Sequence, residues 1–128
     1  MAPKSKKIWQ WVVGLLFIAA GANHFLLPDT YVSMIPSYLP APLLLVQISG
    51  VAEMAGGLGV LLPFTRRWAA WGLILLLLAV FPANLNMALH GWQGHDTPAW
   101  VLWARLPFQA VFIWWVYRLY LVGKLSVR

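Results

Sequence analysis

The chain has 128 residues, of which 62% are hydrophobic and 9% are charged, and it contains no cysteine. A soluble domain typically has about a quarter of its residues charged, so the composition excludes a water-soluble single-core protein and indicates folding in lipid. The lack of cysteine excludes disulfides, thiolate metal sites and a dithiol relay within the chain. The net charge of +6 comes from basic residues that mostly flank apolar stretches, which indicates membrane topology rather than nucleic-acid binding.

Four apolar segments are long enough to cross a hydrocarbon core of about 30 Å, which needs roughly 20 helical residues. We predict transmembrane helices over residues 8–27, 42–62, 68–90 and 98–121. A helix start is indicated by Pro42, and Thr97 is predicted to cap the last helix with Pro98 in its first turn. Gly91 is typical of a helix end. The later connections are short, which favours antiparallel packing of consecutive helices. The predicted fold class is therefore all-α, a transmembrane antiparallel four-helix bundle.

The first connection, residues 28–41, differs from the others in length and composition. It is rich in proline and contains Tyr31, Met34, Ile35 and Tyr38, which suit the membrane interface. We predict that it forms a folded outer cap rather than a flexible linker. No composition shift or repeat divides the chain, so one domain over residues 1–128 is expected.

Basic residues collect on one side of the predicted bundle. They are Lys4, Lys6, Lys7, Arg66, Arg67, Arg118, Lys124 and Arg128. Positive loops stay cytoplasmic, so we predict cytoplasmic termini and a multi-pass protein of the inner (plasma) membrane. An alternative interpretation makes the first segment a signal peptide with Ala-Gly-Ala at 20–22 as its cleavage site. The apolar run continues past that triplet, which favours a membrane span.

One acidic residue lies inside a predicted span. Glu53 is 11 residues into the second span, so it lies roughly 16 Å deep, near the bilayer centre. A charge at that depth costs about 2.5 to 3.5 kcal/mol, so an ionised Glu there needs a partner, a proton or a cavity. Its neighbours one helical turn away are the small residues Ser49, Gly50, Gly56 and Gly57, which allow another helix to approach closely. We therefore expect Glu53 to face protein.

Polar residues on the other spans are candidates to share a site with Glu53. Arg105 lies roughly 10 Å from the outer end of the last span, and Gln109 follows one turn later on the same face. An ion pair between Glu53 and Arg105 is the economical arrangement, although an Arg this shallow can also extend outward to water. Pro82 is expected to bend the third span just before Asn84.

All of the candidate ligand-binding residues fall in the outer half of the bundle, whereas the inner half is almost entirely apolar. These candidates are His24, Glu53, Asn84, Arg105, Asn23, Gln109 and His90. The asymmetry predicts a pocket that opens outward. A simpler interpretation treats the asparagines as hydrogen-bonding groups between helices. Haem between His24 and His90 is disfavoured because both lie near the outer ends of their spans and no further ligand motif is present. A metal held by these two and Glu53 is disfavoured because Glu53 is expected roughly 10 Å deeper than either histidine.

Several short motifs occur in order along the chain. They are Gly-Ala-Asn-His-Phe at 21–25 followed by Pro28, Ile-Pro at 35–36, Leu-Pro at 39–40, Ser-Gly-Val-Ala-Glu at 49–53, Gly-Gly at 56–57 and Phe-Pro-Ala-Asn at 81–84. Together they resemble the DoxX-like family of small integral membrane proteins. The resemblance implies a helical bundle in which His24, Glu53 and Asn84 line a common buried site. The wider group includes subunits associated with thiosulfate:quinone oxidoreductase, but the thiol chemistry of redox-linked relatives has no counterpart in a chain without cysteine.

Two classes of function agree with these features. The first is a non-catalytic accessory or assembly component of a membrane, redox-associated complex, whose partners are other membrane subunits or a second copy of the chain. The second is a quinone- or isoprenoid-binding subunit of a membrane oxidoreductase, in which His24 or Glu53 exchanges a proton and Asn84 or Arg105 holds a carbonyl oxygen. A transporter is disfavoured because the apolar inner half offers no path across the membrane. We expect no catalytic residue and no metal, and no cofactor beyond a bound quinone or lipid.

Overall fold

The structure is a computed structural model that describes residues 3–92 and 94–122, and this part of the chain is helical without strands. Its elements are α1 (Pro3–Leu26), α2 (Pro28–Val32), α3 (Pro42–Leu61), α4 (Arg66–His90) and α5 (Ala99–Tyr120). The four long helices α1, α3, α4 and α5 are long and apolar enough to cross a membrane, which confirms the four predicted apolar helices. Lys124 and Arg128, used above for orientation, lie outside the described residues.

The helix ends follow the local sequence. Pro42 is the first residue of α3, where its missing N–H costs no helical hydrogen bond. Gly91 ends α4 with φ of 82°, a left-handed conformation that favours glycine. The prediction that Thr97 caps α5 was wrong. Pro98 occupies the cap position with an extended ψ of 146°, so the helix begins one residue later.

The connection between α1 and α3 folds onto one end of the bundle. It contains α2, whose first residue is a proline, and a series of turns in which Pro36 is fully buried. The indole Nε1 of Trp92 donates a hydrogen bond of 2.8 Å to Ser33 Oγ, which ties the connection to the segment that follows α4. Met34 packs against buried Met87. We call this the capped end of the bundle.

The opposite end carries the described basic residues Lys6, Arg66 and Arg118, and we call it the basic end. Polar groups there hydrogen-bond to backbone carbonyls at the helix ends. The guanidinium of Arg66 donates to the carbonyl of Val60 at 2.7 Å, and the hydroxyl of Tyr120 donates to the carbonyl of Gln10. Between these contacts and the middle of the bundle lies the main apolar core. It includes Val13, Phe17, Val60, Ala70, Leu73, Ile74, Leu77, Val116 and Leu119.

Glycines allow α1 and α3 to pack backbone against backbone. A Cβ atom added at Gly57 would lie 2.7 Å from the carbonyl oxygen of Gly14, and one added at Gly21 would lie 2.6 Å from that of Gly50. The pair α1 and α3 is the most extensive in the molecule, followed by α3 with α4 and α4 with α5. Contact between α1 and α5 is much lighter. The long helices therefore form a ring in the order α1, α3, α4, α5 with a light seam between the last and the first.

We predict that Gly57→Ala destabilises the bundle by about 1 to 3 kcal/mol, because the new methyl group would press against backbone atoms that cannot rotate away. Gly72→Ala is the matched control, since a Cβ atom at Gly72 meets nothing within 4 Å. The control should be neutral or more stable by up to about 1 kcal/mol, as expected from helix propensity. Unfolding by sodium dodecyl sulfate in mixed micelles, followed by circular dichroism, measures both. Equal stability of the two variants would contradict the close α1–α3 contact.

Candidate functional site: a polar cavity at the capped end

Polar side chains from all four long helices meet around one cavity of about 220 Å³. We call it the polar cavity, and its lining residues are His24, Tyr31, Met34, Ile35, Val46, Ser49, Glu53, Val80, Ala83, Asn84 and Arg105. The cap contributes three of these residues, so it closes the cavity toward the end of the bundle. Four of the seven residues proposed from sequence, namely His24, Glu53, Asn84 and Arg105, therefore lie around the same space.

His24 and Glu53 form the pair at the α1–α3 side of the polar cavity. The Nδ1 atom of His24 lies 2.9 Å from the carbonyl oxygen of Ala20 and 3.5 Å from Oε1 of Glu53. Both neighbouring oxygens can accept a hydrogen bond, so the arrangement suits a tautomer that carries a proton on Nδ1. The ring also stacks on Tyr31 with centroids 4.1 Å apart, which fixes its plane. Gly50 makes this approach possible, because a Cβ atom there would lie 2.9 Å from His24 Cβ.

Arg105 lines the cavity from α5 but does not pair with Glu53. Among the described residues, the ion pair within 4.0 Å that includes Glu53 is the one with His24. The Arg105 guanidinium instead lies 5.9 Å from the ring centroid of Trp92, a cation–π arrangement directed toward the capped end. The expected Glu53–Arg105 ion pair is thus not formed. The reason is the helix order, which places α4 between α3 and α5 and leaves the cavity between the two charges.

Two ionisable side chains around this cavity each carry a buried polar atom without a hydrogen-bond partner in the described part of the chain. These atoms are Oε1 of Glu53 and Nε of Arg105. A buried polar atom left unpaired costs about 1 to 3 kcal/mol, and more when the group is charged. One atom is an acceptor and the other a donor. A molecule in the cavity that offered both a donor and an acceptor would satisfy them together.

Asn84 and Gln109 connect α4 to α5 beside the cavity. Nδ2 of Asn84 donates to Oε1 of Gln109 at 2.6 Å, and Nε2 of Gln109 donates to the carbonyl of Leu77. Gln109 is only 7% exposed although α4 and α5 have mainly apolar contacts. Helix α4 continues through Pro82, so Asn84 remains in helical register with these residues. The pair therefore acts between helices, as the simpler interpretation of the asparagines predicts.

A second cavity of about 470 Å³ lies between α4 and α5 and is mainly apolar. We call it the apolar groove, and it is lined by Leu77, Val80, Asn84, Arg105, Phe108, Gln109, Val111, Phe112 and Trp115. Three residues, Val80, Asn84 and Arg105, belong to both linings, so the two spaces lie next to each other at these side chains. The hydropathy of the sequence does not reveal this groove, because the same apolar residues would also suit lipid contact.

The remaining candidates lie outside the polar cavity. Nδ2 of Asn23 donates to the hydroxyl of Tyr31 at 2.8 Å, which anchors the cap to α1. Nδ1 of His90 lies 3.2 Å from Oδ1 of Asn86. Both residues line a separate cavity under the cap. His24 and His90 therefore do not face a common space. Among the described residues, no group of three or more His, Asp and Glu side chains is placed to hold a metal ion.

Tyr31 is the site residue whose role the sequence analysis missed. It stacks on His24, accepts the hydrogen bond from Asn23, and lines the polar cavity. The short helix α2 brings it back over the end of α1. The only signal in the sequence was its spacing of eight residues from Asn23 across Pro28, which is compatible with a reversal of the chain.

Comparison with known proteins gives one family. The model of a family described as Domain of unknown function (DUF8561) matches residues 13–120, a range that contains every lining residue of the polar cavity. Neither the curated proteins nor the solved structures include a match to the chain.

We predict that Asn84 and Gln109 are energetically coupled. In a double-mutant cycle, Asn84→Ala and Gln109→Ala should show a coupling of about 0.6 kcal/mol and at most about 1.7, the range for polar contacts between membrane helices. The control cycle pairs Asn84→Ala with Gln47→Ala, since Gln47 is exposed on α3. That cycle should show coupling near zero. Unfolding in mixed micelles gives all the values, and additive effects in the first cycle would exclude the proposed hydrogen bond.

Proposed function

Because the chain belongs to the family described as Domain of unknown function (DUF8561), whose description assigns no activity, we propose a function from the site itself. The protein binds a quinone or a similar isoprenoid-type molecule within the membrane. The observation that carries this proposal is that the polar cavity and the apolar groove share Val80, Asn84 and Arg105 in their linings. A molecule with a polar ring and an apolar tail matches such a pair of adjoining spaces.

The polar cavity suits the headgroup of such a molecule. Nε of Arg105 is a donor without a hydrogen-bond partner and can bond to an oxygen of the headgroup ring. Oε1 of Glu53 is an acceptor without a hydrogen-bond partner and can accept from a hydroxyl group of the same ring. In the tautomer that carries its proton on Nδ1, Nε2 of His24 is a second acceptor. A quinol, which has hydroxyl groups to donate, makes both contacts. Oxidation of a bound quinol to the quinone releases two protons and two electrons. His24 and Glu53 are the groups that would accept the protons, and a partner protein would accept both electrons.

The apolar groove suits the tail. Its wall consists of aromatic and aliphatic side chains of α4 and α5, including Leu77, Phe108, Val111 and Phe112. A tail lying there would extend from the headgroup ring beside Arg105 and pass along α4 and α5 toward the middle of the bundle. Burial of apolar tail in this groove replaces lipid contact with protein contact, so affinity for the tail comes from shape and packing rather than from water exclusion.

We further propose that the four long helices cross the inner membrane antiparallel to one another, with both termini in the cytoplasm. Gly14 lies beside Gly57 and Gly21 beside Gly50, which supports opposite directions for α1 and α3. The clustering of described Lys and Arg residues at the basic end supports a cytoplasmic location of that end. The polar cavity then lies in the outer half of the membrane. The resemblance to DoxX-like proteins agrees with this arrangement.

The second candidate function is that of a non-catalytic accessory or assembly component of a redox-associated membrane complex. It is compatible with the first, because a bound quinone requires an electron partner. The observation that favours it is the number of large aromatic side chains on the outer faces, among them Phe64, Trp68 and Trp100, which are 81%, 82% and 72% exposed. Such residues are enriched at protein interfaces and also at membrane interfaces.

We predict that a short-chain ubiquinol binds the purified protein and that Glu53→Gln and Arg105→Gln each weaken binding roughly tenfold, since each removes a charge-assisted hydrogen bond. Glu53→Gln should weaken the quinol more than the quinone, because only the quinol donates to the carboxylate. Arg67→Gln is the control: it removes an exposed charge from the basic end and should leave affinity unchanged. Native mass spectrometry and fluorescence titration measure binding. Loss of equal size in the control would overturn the proposed site.

The tail position is tested separately with two neighbouring substitutions. Val111→Trp fills the apolar groove, whereas Ala110→Trp places the same indole side chain at an exposed position that does not line it. The first should weaken binding of a long-tailed ubiquinone and spare a tailless benzoquinone. The second should affect neither. If both quinones bind Val111→Trp normally, the tail does not occupy the groove.

We predict for the accessory role that gentle solubilisation from native membranes yields a stoichiometric complex with a redox protein. Trp100→Ala removes an exposed aromatic side chain at the start of α5 and should release the partner protein. Leu75→Ala, 64% exposed in the middle of α4, is the control for an apolar face in contact with lipid. Sedimentation of the native protein as a solitary monomer would count against this role.

A further inference from the structure

We propose that the basic end holds the phosphodiester headgroup of an anionic phospholipid in the seam between α1 and α5. This site is independent of the polar cavity and lies at the other end of the bundle. It is a cavity of about 330 Å³ lined by Lys6, Trp114, Trp115, Arg118, Leu119 and Val122. Two cations from different helices therefore line one space.

The two cations are held in place by neighbouring groups. Nζ of Lys6 donates a hydrogen bond of 2.8 Å to the carbonyl of Val122, which leaves its other protons for a second acceptor. The guanidinium of Arg118 lies 5.8 Å from the ring centroid of Trp114, so a cation–π contact orients it. Both side chains are thus ordered before an anion arrives, which lowers the entropy cost of binding one.

No acidic residue of the chain is near enough to neutralise these cations. The chain has three acids, Asp29, Glu53 and Asp96. Asp29 lies in the cap on α2, Glu53 lines the polar cavity, and Asp96 lies between α4 and α5 at the capped end. An anion bridging Lys6 and Arg118 would compensate both charges at once.

The rest of the lining favours a lipid over a free anion. Trp114, Trp115 and Leu119 form apolar walls against which a glycerol unit and the first acyl carbons can pack. Tryptophan is typical of the membrane interface, and basic pockets between transmembrane helices bind anionic lipid headgroups. The α1–α5 seam is also the lightest contact in the ring, so a lipid can enter it sideways from the bilayer.

The test compares two double variants of the full chain with the same loss of charge. Lys6→Gln with Arg118→Gln removes the cations of the cavity, and Lys7→Gln with Arg67→Gln removes exposed cations at the same end. Binding of phosphatidylglycerol and of phosphatidylcholine to the detergent-solubilised protein is measured by native mass spectrometry. We expect the first double variant to bind phosphatidylglycerol roughly tenfold more weakly than the second, with phosphatidylcholine binding weak in all proteins.

Three further results decide the outcome. Trp114→Leu keeps both charges and should reduce phosphatidylglycerol binding less than the loss of the cations does. Equal binding by the two double variants would mean that charge at the surface, not the cavity, attracts the lipid, and would overturn the proposal. Displacement of the lipid by millimolar inorganic phosphate would also overturn it, because the ligand would then be a soluble anion. Size-exclusion elution at the native volume confirms that each variant is folded.

Discussion

The backbone contact between α1 and α3 is the constraint on which the other features of this bundle depend. At Gly21 and Gly50 the two helices approach so closely that neither position accepts a Cβ atom without displacing backbone. This distance brings the His24 ring of α1 within 3.5 Å of the Glu53 carboxyl group of α3. A wider separation would leave Glu53 at membrane depth without a neighbouring polar group, at a cost that insertion scales place at about 2.5 to 3.5 kcal/mol.

The contact between α1 and α5 is light, in contrast to the close contact between α1 and α3. Because α1 packs mainly on α3, α5 is left to pack mainly on α4, and the ring is not tightly closed. At the basic end, the hydrogen bond from Lys6 to Val122 and the tilted ring contact of Trp9 with Trp115 span the seam. Toward the capped end, Arg105 faces a cavity instead of a helix. The molecule therefore combines an apolar core near the basic end with a polar cavity under the cap.

Hydropathy predicted the four long helices because lipid imposes one strong rule, a run of apolar residues of sufficient length. The interior position of Glu53 was also predictable, since Ser49, Gly50, Gly56 and Gly57 mark the packed face of its helix. Its partner was not. Residue counting places Glu53 roughly 10 Å deeper than His24 and therefore favoured Arg105. That estimate was wrong for His24, because the close contact of α1 with α3 brings its Nδ1 to 3.5 Å from Glu53 Oε1.

The cap illustrates a second limit of sequence reasoning. Its composition predicted a folded segment, but not that α2 would return Tyr31 to His24 or that Ser33 would accept a hydrogen bond from Trp92. These contacts join residues far apart in the chain, and no periodic pattern encodes them. The predicted start of α5 was wrong for a local reason. Pro98 has an extended ψ, so the helix begins one residue later than predicted.

The most direct test of a ligand in the polar cavity is an experimental structure of the protein in nanodiscs that retain its native lipids. We predict non-protein density within hydrogen-bond distance of both Oε1 of Glu53 and Nε of Arg105, continuing into the groove beside Val111. A direct ion pair between Glu53 and Arg105 that fills the cavity, with no other density between them, would contradict it.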